Sequence, residues 1–94
     1  MFVLHVDLEV KPDSRQALEK TYVETFRAAV SRQEGFRTVA LLRPRDDGNH
    51  YLLSLVFDNQ SFQQKWVGTD LHQEVWPQME RHCAQYSLRT YDAV

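Results

Sequence analysis

Two groupings of side chains in this sequence are equipped for chemistry. His5 and Asp7 lie two apart in an alternating segment, so on a strand they share one face. A histidine beside a carboxylate can hold or move a proton, and if that face is covered the pair needs a partner or a ligand to justify its burial. Trp66, His72 and Trp76 form the second grouping. His72 and Trp76 are one turn apart on one helix, and Trp66 ends the short helix before it, so the three flank one bend. Two indoles and an imidazole suit a flat, partly apolar ligand, and histidine is the side chain whose ordinary pKa allows proton transfer near neutrality. His72 and His5 are therefore the candidate catalytic bases, with Asp7, Trp66 and Trp76 as candidate substrate contacts. The plainer alternative is structural: a satisfied His5–Asp7 pair, both tryptophans in the core and His72 on a helix surface.

The other candidates point to less chemistry. His50 opens a strand beside a turn, and His82 follows Arg81 in a last helical turn, where a cation favours the helix dipole. Tyr22 either lines the cleft or fills it, and Ser54 on a neighbouring strand is placed to join the pocket. No HExxH and no closely spaced histidine pair supports a metal site, and the single Cys83 leaves no partner for an intrachain disulfide or a cysteine cluster. Gly35, Gly48 and Gly68 stand singly at breaks, so there is neither a phosphate cradle nor a dinucleotide fingerprint. No serine or cysteine carries a nucleophile motif. Neither a metal nor another cofactor is expected.

The elements that must position these residues follow from periodicity. Phe2, Leu4, Val6, Leu8 and Val10 alternate with Val3, His5, Asp7 and Glu9, which predicts strand one over 2–10, ended by Lys11-Pro12. Asp13 or Ser14 caps a helix with Leu18, Tyr22, Phe26, Ala29 and Val30 on one stripe, closed at Glu34-Gly35. Strands two and three follow at 36–43 and 50–57, joined by the polar segment 44–49. Asp58 caps a short helix carrying Phe62 and Trp66; Gly68 breaks it, and Thr69 or Asp70 caps the next, whose stripe is Leu71, Val75, Met79 and Cys83. Pro77 removes one backbone donor there, which predicts a bend near Trp76. Residues 86–91 are the fourth strand.

The order is βαββαβ with the second helix broken. Right-handed crossovers put it in a four-stranded antiparallel sheet with the helices on one face, the ferredoxin-like α+β arrangement, with strands one and three central. The expected facing sets His5, Asp7 and Glu9 towards the helices. It leaves Phe2, Leu4, Val6 and Leu8, with Tyr51, Leu53, Leu55 and Phe57, on the open face for a second copy of the chain to cover.

Ninety-four residues, 43% of them hydrophobic, suffice for one domain and one core. Eleven basic against 13 acidic side chains leave a net charge of −2, spread along the chain. That argues against a nucleic-acid partner. No apolar run approaches the roughly 20 residues of a membrane span and no leader-like segment follows Met1, so a cytoplasmic protein without a membrane partner is expected.

Several of these segments, taken together, resemble one family. They are the strand ending Glu9-Val10-Lys11-Pro12, Glu34-Gly35-Phe36 before strand two, the apolar strand from Leu52 to Phe57, the stretch from Asp58 to Trp66, and Thr69-Asp70-Leu71-His72. The sequence so resembles the antibiotic biosynthesis monooxygenase (ABM) family along nearly its whole length. The resemblance implies a homodimer of α+β barrels with a pocket between each subunit's sheet and helices. Relatives include cofactor-independent oxygenases of aromatic polyketides, haem-degrading proteins, isomerases of small signal molecules, and proteins with no known reaction. Trp66 falls where haem-degrading and cofactor-free relatives have a tryptophan, and His5 where the haem-degrading ones have a pocket asparagine. The haem-ligating histidine position falls on Trp76, with His72 a full turn earlier. The expected function is thus a cofactor-independent monooxygenase acting on a small aromatic or quinol-type ligand. The alternatives are a non-catalytic dimeric ligand-binding or stress-associated module, and a haem-binding or haem-degrading protein.

Overall fold

The computed structural model describes all residues, Met1–Val94, as one antiparallel sheet with helices on one face. The strands are β1 (Phe2–Val10), β2 (Phe36–Leu42), β3 (His50–Phe57) and β4 (Cys83–Asp92), in the order β2-β3-β1-β4. β1 and β3 are central, as the crossover argument requires. Between β1 and β2 the chain runs as α1 (Arg15–Thr21), one π-helical turn over Tyr22–Phe26 and α2 (Arg27–Ser31); α3 (Gln60–Val67) and α4 (Asp70–Glu80) lie between β3 and β4. No helix is long and apolar enough to cross a membrane.

Most boundaries fall where the sequence puts them. Gly35 has φ of +75°, the left-handed conformation expected at a helix end, and its carbonyl accepts from Asp58 N at 2.8 Å. A Cβ at Gly35 would collide with the Phe62 ring, so both the backbone and the packing demand glycine. Thr69 caps α4 by accepting from His72 N at 3.1 Å. Three details differ. Asn59 rather than Asp58 caps α3, through its Oδ1 and the Phe62 amide. α4 continues through Pro77 as one helix to Glu80, and β4 begins at Cys83, so Cys83 belongs to a strand rather than a helical stripe. The π-turn has no counterpart in the predicted helix, because one extra residue per turn leaves the apolar spacing of three and four intact.

The larger correction concerns the two faces of the sheet. Val6, Leu8 and Val10 of β1, and Tyr51, Leu53, Leu55 and Phe57 of β3, are buried in the core with Leu18, Phe26, Val30, Val75 and Met79 of the helices, and Phe2 is buried at the start of β1. The apolar face therefore lies under the helices, and His5, Asp7 and Glu9 lie on the open face, the reverse of the expected facing. The physical reason is that the helices are themselves amphipathic. Their apolar stripes can be buried only against the apolar side of the sheet, while the alternating polar residues remain solvated. No charged or polar side chain is fully buried.

At the far end of β3 the helical layer is pinned to the sheet. The Tyr51 hydroxyl donates to the Glu19 carboxylate, which also takes two hydrogen bonds from Arg43, at 2.8 and 2.6 Å. Arg15 stacks over the Tyr51 ring, 5.4 Å from its centre.

Candidate active site

A cavity of about 320 Å³ lies between the sheet and the helices, at the lower end of the range usual for small-molecule sites. Its floor is Leu4 and Val6 of β1 with Leu53 and Leu55 of β3. Three aromatic rings wall it: Phe26 from the π-turn, Trp66 from α3 and Trp76 from α4, with Phe26 6.2 Å from Trp66 and 6.4 Å from Trp76, both edge to face. Val67, Tyr86 and Leu88 border it towards β4, where the edge strand leaves Leu88 58% exposed. The remaining lining residues are Gln63 and His72.

Local structure explains this convergence. Gly68 and the Thr69 cap break the helical segment between α3 and α4, so Trp66 at the end of one helix and His72 in the first turn of the next meet edge to face at 5.0 Å. Trp76, one turn beyond His72, packs against Tyr86 at 5.2 Å and joins α4 to the edge strand. Burial pushes the His72 imidazole below the usual histidine pKa of 6.5. It is therefore neutral at physiological pH, the form a general base needs. Its Nδ1 lies 3.5 Å from the Gln73 side-chain amide.

The structure gathers Trp66, His72 and Trp76 at one site and separates them from His5, Asp7 and Ser54. Those three occupy the open face, where His5 stands opposite Ser54 in the β1–β3 ladder. His5 packs edge to face on Tyr91 at 5.1 Å. Asp7 is bonded to His50, Nδ1 to Oδ1 at 2.7 Å, and that carboxylate holds the exposed His50 above the usual histidine value. His5 and His72 thus lie on opposite sides of the sheet, and the expectation of one shared pocket does not hold. Tyr22 resolves to the filling alternative: it is buried against Phe26, 6.5 Å between rings, and does not line the cavity. His82 bonds Thr21 at 3.2 Å, a contact tying α4's end to the first helix.

Phe26, Gln63, Tyr86 and Leu88 are lining residues that sequence reasoning did not single out. Gln63 was within reach, since it precedes Trp66 by three residues and shares its helix face. Tyr86 and Leu88 alternate on β4, but their facing depends on the sheet polarity corrected above. No group of three or more histidine, cysteine or acidic side chains converges on a metal site.

Comparison with known proteins agrees with this architecture. No curated protein matches the sequence. Among solved structures, a protein of Caulobacter crescentus CB15 provisionally named an antibiotic biosynthesis monooxygenase superposes with a TM-score of 0.86 at 18% identity, covering 99% of this chain and 89% of that one. A similarly named protein of Nitrosomonas europaea gives 0.87 at 17% identity, covering 100% and 99%. An arginine-to-serine variant of MhuD, solved with two manganese protoporphyrin IX molecules per active site, gives 0.83 at 22% identity, covering 100% and 95%. At these identities the likeness speaks to fold alone. The family model described as antibiotic biosynthesis monooxygenase matches residues 1–77, most of the chain and every residue of the cavity except Tyr86 and Leu88, and the chain belongs to that family.

Proposed function

We propose that this protein is a cofactor-independent monooxygenase that oxidises a small aromatic or quinol-type substrate with dioxygen in the cavity between sheet and helices. The observation that carries this reading is the position of His72. One neutral imidazole faces an apolar cavity walled by Phe26, Trp66 and Trp76. Triplet dioxygen reacts with closed-shell organic molecules only after an electron transfer, and an electron-rich phenolate or enolate can be the donor itself. The tasks left to the protein are to take a proton from the substrate, hold the resulting anion and exclude water. His72 takes the proton; the aromatic walls hold the ring plane and keep water out. For a ring methylene beside a phenol-type carbonyl, one oxygen atom remains on the carbon as a carbonyl and the other leaves as water with that carbon's two hydrogens. The sum needs no external reductant, and neither a flavin nor a metal enters it.

The protein acts as a homodimer in this reading, joined through the open face. Val3, Leu52 and Val56 are half-buried there beside Leu42, 51% exposed, and Tyr91. The residues meeting the partner are these rather than Leu53 and Leu55, which lie in the core. Light scattering at micromolar concentration should give twice the 11.1 kDa of one chain; a stable monomer would refute the dimer.

The residues present do not fit haem. Haem carries two carboxylates, and no lysine or arginine lines the cavity to meet them. Trp76 also takes the helix position where a ligating histidine is expected, leaving His72 a turn away. Hemin titration should therefore leave the Soret band unshifted. Oxygen uptake over a panel of hydroquinones and anthrone-like phenols, with and without protein, tests the main reading. Protein-dependent uptake supports it, and none across the panel leaves the fold as a ligand-binding module.

A further inference from the structure

The cavity's polar equipment is sparse and lopsided. Its lining includes no aspartate, glutamate, lysine or arginine, and its polar side-chain groups come from Gln63, His72, the indoles and Tyr86. Three glutamines of the chain are half-buried: Gln33, Gln63 and Gln78. Gln33 and Gln78 spend their amides on the carbonyls of Ala29 and Glu74, at 3.1 and 3.2 Å. Gln63 lies on α3 as Gln78 lies on α4, yet its side-chain amide bonds to nothing in the protein. A half-buried side chain whose accessible amide has no protein partner, on the wall of an apolar cavity, is a donor and an acceptor held ready for an occupant.

Resting on the proposed use of the cavity, we propose that Gln63 is its specificity-determining residue and that it selects uncharged aromatic compounds bearing an oxygen, rejecting both bare hydrocarbons and carboxylates. The Gln63 Nε2–H donates to a phenolic or quinone oxygen while its Oε1 can accept a phenol's O–H. A hydrocarbon of the same shape leaves the amide unpaired in apolar surroundings. A carboxylate enters with no cation to meet it and loses its hydration uncompensated. The neutral state of His72 removes the one side chain that could have supplied that charge.

The test is a protein-observed NMR titration of the intact protein with three probes of one size: 1-naphthol, naphthalene and 1-naphthoate, following the indole N–H signals of Trp66 and Trp76. The native protein should bind 1-naphthol about tenfold more tightly than naphthalene, the value of one neutral hydrogen bond in a partly desolvated site, and 1-naphthoate more weakly than either. Gln63→Leu, which keeps the side chain's bulk, should erase the preference for 1-naphthol, with naphthalene binding at least as tightly as it does to the native protein; Gln63→Ala serves as a second variant should leucine disturb the fold. A preference for 1-naphthol that survives both substitutions overturns the role of Gln63 and leaves the cavity reading standing. Binding of 1-naphthoate as tight as that of 1-naphthol overturns the exclusion of charge. If none of the three shifts the indole signals, the cavity is not a site for aromatic ligands, and this inference falls together with the reading it rests on.

Discussion

Leu52 and Leu53 are neighbours on β3 with opposite fates, and substituting each by lysine tests the polarity of the sheet. Leu53 is fully buried beneath the helices, in register with Val6 and Leu41. Removing a core leucine costs about 2–5 kcal/mol, and a lysine there must either bury an ammonium or lose its proton, which adds several kcal/mol more. The sum rivals the roughly 5–15 kcal/mol that holds a domain of this size together, so Leu53→Lys should unfold the chain. Leu52 is half-buried on the open face and stands opposite Asp7 in the ladder. A lysine there gains an opposite charge as its cross-strand neighbour, so the monomer should change by no more than about 1 kcal/mol, while the proposed dimer through that face should be lost. Urea denaturation followed by circular dichroism gives the stabilities, and light scattering gives the mass. If Leu53→Lys folds as well as the native protein while Leu52→Lys does not, the helices cover the other face and the cavity described here does not exist.

Three further outcomes follow from particular contacts. The Arg43 guanidinium and the Tyr51 hydroxyl hold the Glu19 carboxyl at a pKa of about 2, against 4.5 ordinarily. Because the folded value is the lower one, this stabilisation is complete above about pH 5 and disappears as the pH falls towards 2. Glu19 is 29% exposed, so solvent screening reduces the effect to about 1–2 kcal/mol, and Glu19→Gln should flatten that part of the stability–pH curve in urea titrations. An unchanged curve would show that the network carries no net weight. Gly35→Ala forces a left-handed alanine against the Phe62 ring and should lower stability by at least about 2 kcal/mol; a cost under 0.5 kcal/mol would refute the contact. With an active substrate, the acid limb of kcat/KM should have its midpoint below pH 6.5, since burial lowers the His72 pKa and only the neutral imidazole accepts a proton; a midpoint above that value would exclude His72 as the base.

Element order was legible in the sequence because each element carries its own local signal. Alternation marks β1 and β3, the Gly35 break ends the first helix, and the Thr69 cap starts α4. The facing of the sheet was not legible from β1 alone, where a strand shows only that its two sides differ. It becomes decidable when the helices are asked what their stripes of Leu18, Phe26, Val30, Val75 and Met79 can be buried against. That one inversion carried His5, Asp7 and Ser54 out of the site and brought Leu4, Val6 and Leu53 into its floor. The Trp66, His72 and Trp76 grouping survived because it depends on spacing within one broken helix and not on which side of the sheet lies beneath. Phe26 enters the cavity from a π-turn whose extra residue no spacing rule registers, and Gln63 is distinguished only by a hydrogen bond it does not make.

The central claim is that the chemistry belongs to the cavity beneath the helices and to the imidazole within it. Its most direct measurement is single-substrate oxygen uptake, with the first active hydroquinone or anthrone-like phenol, by His72→Ala beside His5→Ala. Loss of a general base should lower turnover of His72→Ala by about 10²–10⁴-fold, whereas His5→Ala, altered on the far side of the sheet, should turn over at the native rate. Equal rates in His72→Ala and the native protein, or a collapse in His5→Ala with the mass in solution unchanged, would contradict it.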